Sequence, residues 1–263
     1  MTQALDMKTL RPEPAVCRNM IAIASGKGGV GKTWLAITLT HALARAGHRA
    51  LLFDGDLGLA NVDIQLGLAP EHDLGGVLTG RYSLKQAATA YPDGAFEVIA
   101  GRSGSGSLAN LPADRLAELS GELARLAADY HRVVVDLGAG IERGVRHLAA
   151  QAGTCLVVTT DEPTALTDAY AFMKLMLTRD GAADLRVVVN MAASEKEGER
   201  TYGTLRKACE SFLKVAPPLA GIIPRDDKVK DAIRSQTGLL TRHPNCAAAR
   251  GVEQLARGLL PRS

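Results

Sequence analysis

The chain has 263 residues, which is enough for one large α/β domain or two small ones. Its formal net charge of +3 is too small to indicate nucleic-acid binding by itself. Its four cysteines are far apart and include no C-x-x-C pair, which argues against a metal or iron–sulfur centre and is typical of reduced thiols in the cytoplasm. The sequence shows no signal peptide, and no apolar run approaches the roughly 20 residues of a membrane-spanning helix.

The polar N-terminal residues are predicted to be separate from the folded domain. Residues 1–18 contain Pro12 and Pro14, so we predict a flexible arm there, followed by a single domain over residues 19–263. Residues 102–107 read R-S-G-S-G-S, which looks like a linker. This stretch is short and follows a strand-like run, which favours a loop at the ligand-binding edge of a sheet, either a plain loop or part of the nucleotide or partner surface.

Short apolar runs alternate with helix-like segments along the domain. The runs are mostly continuous in valine, isoleucine and leucine, which is typical of strands covered on both faces. The pattern predicts a single-domain, doubly wound α/β fold with a mostly parallel sheet and helices on both faces. The predicted strands are residues 20–24, 49–53, 96–100, 132–135, 155–158, 185–189 and 219–223, and the clearest helices are residues 34–43, 114–129 and 164–178.

A phosphate-binding motif lies between the first strand and the first helix. Residues 26–33 read G-K-G-G-V-G-K-T, which has the spacing of a P-loop in the strand–loop–helix context that the motif requires. Glycines allow backbone N–H groups to surround phosphate oxygens, and the helix N-terminus adds its positive dipole end. The motif predicts that Lys32 contacts the β- and γ-phosphates and that Thr33 ligates Mg²⁺. The predicted nucleotide-binding residues of this stretch are Gly26, Lys27, Gly28, Gly29, Val30, Gly31, Lys32, Thr33 and Trp34.

Two residues of this stretch are unusual. Lys27 occupies a loop position where a general P-loop needs no lysine, so its ammonium group is either an exposed charge or one that crosses a subunit interface to a partner's γ-phosphate, as an arginine finger does. Trp34 is the only tryptophan. We expect its ring to pack in the core of the first helix, close enough to the loop to report nucleotide binding.

Carboxylates follow two strands at the same edge of the predicted sheet. Asp54 and Asp56 are two residues apart, so their side chains point to the same side, where one can hold Mg²⁺ waters and the other can orient an attacking water. Taken alone, the pair could equally be a solvated acidic turn. Asp136 and Gly138 follow another strand in a Walker-B-like arrangement, in which Asp136 binds Mg²⁺ through water and the Gly138 N–H senses the γ-phosphate. The alternative for Asp136 is a helix N-cap.

These motifs together resemble the MinD/ParA superfamily of deviant Walker A P-loop ATPases. Lysine at the second position of the P-loop matches the deviant Walker A motif, and residues 54–63 match the second motif, D-x-D-x-G-x-x-N-x-D. The resemblance implies an ATP-dependent homodimer in which Lys27, Lys32 and Asp56 are catalytic. It also implies that Thr33, Asp54 and Asp136 form the metal site, and that Asn61 lies near the nucleotide or the dimer contact.

The same resemblance predicts how the base is bound. Asn190 follows the strand at residues 185–189, and its amide can donate one hydrogen bond to an adenine edge and accept another, although a turn asparagine would look the same. The superfamily has a base-contacting asparagine at this place. Residues 223–226 resemble the I-P-x-D loop beside the base, which adds Pro224 and Asp226 to the predicted cofactor-binding residues.

Further stretches resemble the FlhG (FleN) branch, whose members set flagellar number and placement. The most branch-specific stretch is E-P-T-x-x-T-D-A-Y-A at residues 162–171. The resemblance implies a slow ATPase with ATP/ADP and Mg²⁺ as cofactors. Its expected partners are the FlhF GTPase, a flagellar transcription regulator or C-ring components, with no direct nucleic-acid contact. The alternatives are a MinD-like division-site or ParA-like partition ATPase, and, from another class, a metal-cluster carrier or metabolic enzyme, for which paired cysteines or a substrate motif are missing.

The C-terminal segment allows two interpretations. Members of the branch often end in an amphipathic membrane-targeting helix, and Val252, Leu255, Ala256 and Leu259 fall on one helical face here. That face is small and carries few basic residues, which favours a helix packed on the domain over a membrane contact. We therefore expect a cytoplasmic protein, peripheral at the inner face of the membrane only if this helix binds lipid.

Overall fold

The structure, a computed structural model, describes residues 16–56, 58–101, 111–179, 181 and 183–260. The strands within these residues are β1 Cys17–Ser25, β2 Ala50–Gly55, β3 Ala88–Tyr91, β4 Phe96–Ile99, β5 Arg132–Ala139, β6 Ala152–Thr159, β7 Leu185–Ala192 and β8 Leu219–Pro224. They form one sheet in the order β3-β4-β2-β5-β1-β6-β7-β8. Each neighbouring pair is parallel apart from β3 and β4, which are antiparallel.

Helices cover both faces of this sheet. They are α1 Lys32–Arg45, α2 Val62–Leu66, α3 Leu74–Leu78, α4 Leu84–Ala87, α5 Ala113–Ala127, α6 Arg143–Gln151, α7 Pro163–Arg179, α8 Glu195–Phe212, α9 Asp227–Arg234, α10 Leu239–Arg242 and α11 Ala247–Leu259, with a 3₁₀ turn at Pro92–Gly94. One core lies mainly between the sheet and α5 to α8, and a second lies between the sheet and α1, α9, α10 and α11. The predicted doubly wound α/β fold is confirmed.

The central strand β1 shows why the apolar runs are continuous. Ile21 and Ile23 belong to one core, whereas Met20, Ala22 and Ala24 belong to the other. Successive side chains of a strand point to opposite faces, so a strand with a core on each side needs apolar residues at every position. Burying a side chain such as Ile23 stabilises the fold by about 1.5–3 kcal/mol.

The predicted strands and helices occur at the expected places, and the sheet has one strand more. Strand β3 pairs with β4 through Ala88 opposite Ile99 and Tyr91 opposite Phe96. It was missed because it has four residues, lies at the edge of the sheet and lacks a continuous apolar run. The short helices α2, α3 and α4 were missed for a similar reason, since each is too short to show a helical period.

The boundary of the predicted arm is shifted. Strand β1 begins at Cys17, so residues 17 and 18 belong to the sheet and not to the arm that we predicted over residues 1–18. Arg18 packs closely on the neighbouring strand β6. A Cβ atom at Gly153 of β6 would lie only 2.7 Å from the Arg18 Cα atom. Residues 1–15 and the predicted loop at residues 102–107 lie outside the described residues.

The C-terminal helix α11 packs its apolar face on the domain. Val252, Leu255 and Ala256 are at most 3% exposed, against α1 and β8. Leu259 packs partly buried against the same core, while Arg257 is exposed. Of the two interpretations of this helix, the structure shows the packed one. Across the described ranges, no helix has both the length and the hydropathy that crossing a bilayer requires.

Replacing a buried residue of α11 tests this packing. Leu255→Ala is expected to lower the free energy of unfolding by about 2–5 kcal/mol, because it leaves a cavity between α11 and the sheet. Arg257→Ala, on the exposed side of the same helix, is the matched control and is expected to change it by less than about 0.5 kcal/mol. Urea denaturation followed by circular dichroism measures both. Equal stabilities of the two variants would contradict the packed arrangement.

Candidate functional site

A cavity of about 710 Å³ opens where β2 and β5 end and α1 begins. Parallel strands end at one edge of the sheet, and ligands bind at that edge in folds of this type. The register places Asp54 directly opposite Asp136 on the neighbouring strand. The predicted site residues that line the cavity are Gly28, Gly29, Gly31, Lys32, Thr33, Trp34, Asp56, Asn61 and Gly138.

The loop between β1 and α1 has the backbone conformation of a phosphate cradle. Gly29 and Gly31 have φ angles of 81° and 87°, a left-handed conformation that favours glycine. Gly31 precedes α1 and no side chain caps the helix there. The N–H groups of the first helical turn are therefore free of a capping side chain, as an anion-binding helix N-terminus requires. Val30 is buried, and its carbonyl oxygen accepts a hydrogen bond of 2.7 Å from Asn190 Nδ2.

The first glycine of the loop lies directly against helix α7. A Cβ at Gly26 would lie 2.2 Å from the carbonyl oxygen of Asp168, which is closer than non-bonded atoms approach. Only a residue without a side chain fits between β1 and α7 at this point. The glycine requirement at position 26 is therefore steric, and it fixes where the phosphate loop leaves the sheet.

The motif lysine Lys32 is buried under the loop. Its side chain is 8% exposed, and its Nζ donates a hydrogen bond of 2.8 Å to Ser25 Oγ, which in turn donates to the Lys27 carbonyl oxygen at 2.6 Å. Burial lowers the pKa of Lys32, and the nearby carboxylates of Asp136 and Asp56 oppose that shift. The lysine therefore lies in a cavity that also contains carboxyl groups.

The second lysine, Lys27, points away from this cavity. Its Nζ lies 2.5 Å from Glu162 Oε2 and donates a hydrogen bond of 2.8 Å to Thr164 Oγ1, both at the start of α7. The side chains of Lys27 and Glu162 are 37% and 62% exposed. Solvent screens an ion pair with that exposure, so it is weak and easily exchanged for another anion. The hydrogen bond from Lys27 lowers the pKa of Glu162.

The two carboxylates after β2 make different contacts. Asp54 is fully buried, and its oxygens accept hydrogen bonds from the N–H groups of Asp56, Asn61 and Val62 at 3.1–3.2 Å. It holds the loop that leads into α2, and burial raises its pKa. Asp56 lines the cavity, and a Cβ at Gly138 would lie 3.2 Å from its Oδ1. Residue 57 of this motif lies outside the described residues.

Asp136 and Thr33 come together from β5 and α1. Asp136 of β5 is 1% exposed, and the Thr33 hydroxyl of α1 interacts with its carboxyl group. Burial and the neighbouring Asp54 raise the pKa of Asp136, and the Thr33 hydrogen bond and Lys32 oppose the rise. Asp136 Oδ1 is buried without a hydrogen-bond partner. A buried oxygen of that kind, beside a hydroxyl, fits Mg²⁺, which prefers oxygen ligands and keeps several waters.

The predicted base-binding residues do not line the cavity. Asn190 lies beneath the loop with its Oδ1 buried and without a partner. The Asp226 carboxylate accepts the N–H of Lys228 at 3.0 Å and that of Ala248 at 3.2 Å, so it caps α9 and joins it to α11. Pro224 ends β8 and packs near Gly251 of α11. These contacts stabilise the fold, and a role of the three residues in base binding stays a prediction.

Sequence reasoning missed the contribution of α7 to the site. Glu162 and Thr164 hold Lys27, and the backbone of Asp168 packs on Gly26. All three residues belong to the stretch at residues 162–171 that we singled out as branch-specific. The repeated threonines and acids in that stretch were a usable signal, because they are polar residues at the first turns of a helix that follows a central strand.

The comparisons with known proteins agree with this geometry. Residues 21–239 match the model of the CobQ/CobB/MinD/ParA nucleotide binding domain. The chain is 37% identical to the antiactivator FleN of Pseudomonas aeruginosa, covering 90% of this chain and 85% of that protein. It is 32% identical to the flagellum site-determining protein YlxH of Helicobacter pylori, with 91% and 81% covered.

A solved structure with the same fold is the septum site-determining protein MinD of Pyrococcus horikoshii, crystallised with Mg-ADP. Its TM-score is 0.75 at 23% identity, and the match covers 91% of this chain and 94% of that one. At this identity the likeness shows the fold. Together with the family model, it confirms the MinD/ParA-like α/β P-loop fold, and the two flagellar relatives confirm the predicted resemblance to the FlhG (FleN) branch.

A pair of glycine substitutions tests the contact between the loop and α7. Gly26→Ala is expected to lower the free energy of unfolding by about 1–3 kcal/mol, because its Cβ collides with the Asp168 backbone. Gly28→Ala is the matched control, since its Cβ meets only the Ala139 Cβ at 4.0 Å and it should be close to neutral. Chemical denaturation without nucleotide measures both. A Gly26→Ala variant as stable as Gly28→Ala would contradict the contact.

Proposed function

Because the chain belongs to the CobQ/CobB/MinD/ParA family of nucleotide-binding domains, we propose that it is an ATP-dependent dimerising switch that regulates the number and placement of flagella. It hydrolyses ATP slowly with Mg²⁺, and the nucleotide state decides whether two copies are joined. The observation that carries this proposal is the opposite placement of the two loop lysines.

Lys32 contacts the nucleotide of its own subunit, and Lys27 is placed to contact the nucleotide of another subunit. Lys32 is buried in the cavity beside Asp136 and Asp56, whereas Lys27 lies outside the cavity, half-exposed at its edge. In an ATP dimer, each Lys27 leaves Glu162 and reaches the γ-phosphate held by the other subunit. A phosphate carries more negative charge than one carboxylate, so the exchange is favourable once two subunits meet.

Exposed apolar side chains around the cavity favour a second copy as the partner of this face. Leu59 is 77% exposed and lines the cavity, in the loop that carries Asp56. Ile141 is 45% exposed and lies three residues after Gly138, and Ile64 on α2 is 54% exposed. The chain neighbours Gln65 and Glu142 line the cavity, so Ile64 and Ile141 flank it, and exposed apolar surface at such a place marks an interaction site. Their burial between two subunits would also exclude water from the nucleotide.

Different residues of the chain bind the phosphates, the metal and the attacking water. The N–H groups of the loop and of the first turn of α1 hold the phosphates, with Lys32 neutralising their charge. Thr33 and Asp136 would hold Mg²⁺, which neutralises charge on the phosphate oxygens when bound. Asp56 orients the attacking water, and Asp54 keeps the loop that carries Asp56 in place. The Gly138 N–H, next to Asp56, senses the γ-phosphate.

The flagellar assignment follows from the two relatives that are named for flagellar roles. Both align with most of this chain, so the whole ATPase domain is shared with them. We expect the partners to be flagellar proteins: a GTPase of the FlhF type, a flagellar transcription regulator or C-ring components. We expect these partners to bind the ATP dimer, because joining two subunits creates a surface that the single subunit lacks.

The role of Lys27 across the interface is tested by its removal. Lys27→Ala is expected to stay folded and to bind ATP, but to lose ATP-dependent dimerisation in light scattering. Glu162→Gln is the matched control: it breaks the same ion pair but keeps Lys27, so ATP-dependent dimerisation should persist. If Lys27→Ala dimerises with ATP as the wild type does, the cross-interface role is wrong.

The flagellar function is tested in cells. A strain without this gene is expected to show an altered number or position of flagella under the electron microscope, and the wild-type gene should restore the normal pattern. Complementation with Lys27→Ala should fail although the protein accumulates, since it cannot form the ATP dimer. Normal flagellation in the deletion strain would contradict the assignment, whatever the protein does with ATP in solution.

A further inference from the structure

The last residue of β1, Ser25, connects the two lysines of the phosphate loop. It is fully buried, and its hydroxyl oxygen lies 2.8 Å from Lys32 Nζ and 2.6 Å from the Lys27 carbonyl oxygen. None of the phosphate, metal or water-orienting roles involves this hydroxyl. A buried group that contacts both lysines is in a position to determine how they are placed relative to each other.

The direction of the two hydrogen bonds follows from the chemistry of the groups. A carbonyl oxygen only accepts, so the single hydroxyl proton of Ser25 goes to the Lys27 carbonyl. The hydroxyl oxygen then accepts from Lys32 Nζ with one of its lone pairs. Ser25 and Lys32 are both buried, so water does not readily replace the hydroxyl. The Lys32 side chain is thereby joined to the Lys27 backbone through Ser25.

The hydrogen bond from Ser25 orients the peptide between Lys27 and Gly28. The C=O and N–H groups of a trans peptide point in opposite directions, and the described residues contain no cis peptide. With the Lys27 carbonyl held on the buried hydroxyl, the Gly28 N–H points away from Ser25. Gly28 lines the cavity. The hydroxyl therefore fixes a peptide of the loop at the point where the loop reaches the nucleotide cavity.

Lys27 is held at two points that differ in exposure. Its ammonium group is paired with Glu162 at the surface, whereas its carbonyl is bound to the buried Ser25. In the ATP dimer the ammonium group leaves Glu162, but the contact with Ser25 involves the backbone and can persist. The Ser25 hydrogen bond then restrains the direction in which the Lys27 side chain leaves the loop.

The backbone of Ser25 is itself fixed by neighbouring segments. Its carbonyl oxygen accepts the N–H of Gly140 at 2.9 Å, where the register between β1 and β5 shifts. Gly140 belongs to the segment that follows Asp136, and the next residue of the loop, Gly26, packs against the Asp168 backbone. Ser25 is therefore a fixed point from which the phosphate loop departs.

We propose that Ser25 is a positioning residue of the switch, whose hydroxyl holds the Lys27 backbone so that the Lys27 ammonium group reaches the nucleotide of a second subunit. The proposal rests on the proposed function, because it takes Lys27 to act across the dimer. It adds that a residue buried beneath the loop determines how readily the dimer forms.

Two variants of similar shape test the hydroxyl. Ser25→Thr keeps it, whereas Ser25→Val has a methyl group in its place, so the steric effect of the larger side chain is common to both. ATP-dependent dimerisation is measured by light scattering over a range of protein concentrations. Ser25→Thr is expected to dimerise as the wild type does, and Ser25→Val to need about tenfold more protein, because a buried carbonyl is left without its donor. Ser25→Ala, which adds no atom, should behave as Ser25→Val.

Binding of ADP separates a positioning role from a collapsed loop. ADP lacks the γ-phosphate that Lys27 reaches, so calorimetry with Mg-ADP is expected to give affinities close to that of the wild type for all three variants. Equal dimerisation of Ser25→Thr and Ser25→Val, or wild-type dimerisation of Ser25→Ala, would overturn the proposal. A loss of ADP affinity in Ser25→Val as large as its loss of dimerisation would overturn it too. If the wild-type protein does not dimerise with ATP, the proposed function is wrong and this proposal with it.

Discussion

The contact on which the site depends is the one between the phosphate loop and helix α7. At Gly26 the loop backbone lies so close to the Asp168 backbone that no side chain fits. Strand β1, with a core on each face, fixes where the loop starts, and α7 fixes the direction in which it continues. The left-handed residues Gly29 and Gly31 then lead the chain into α1. The packing of β1 and α7 therefore determines the position of the phosphate-binding loop.

The contact between the loop and α7 also accompanies a separation of the two loop lysines, which lie on different sides of the loop. Lys32 enters the cavity, where burial lowers its pKa and the carboxylates of Asp136 and Asp56 oppose that shift. Lys27 leaves the loop on the side of α7, where Glu162 and Thr164 hold it. The same helix thus shapes the loop and holds the lysine that we assign to the neighbouring subunit. A partner that displaces the start of α7 would act on both features at once.

The sequence predicted the parts of this arrangement that have a local signal. Buried strands gave continuous apolar runs, and the P-loop and its acidic motifs have fixed spacings, so the meeting of Lys32, Thr33 and Asp136 at one sheet edge followed from parallel strands. Contacts between distant segments left no such signal. Neither the collision between Gly26 and α7 nor the capping by Asp226 can be read from spacing, and the face of α11 favoured packing over membrane binding without identifying the elements on which it packs.

The most direct measurement is a crystal structure with Mg²⁺ and a non-hydrolysable ATP analogue. The account predicts two chains joined across two nucleotides, with each Lys27 released from Glu162 and bound to the γ-phosphate held by its neighbour. A single chain with the analogue in its cavity and Lys27 still on Glu162 and Thr164 would contradict it.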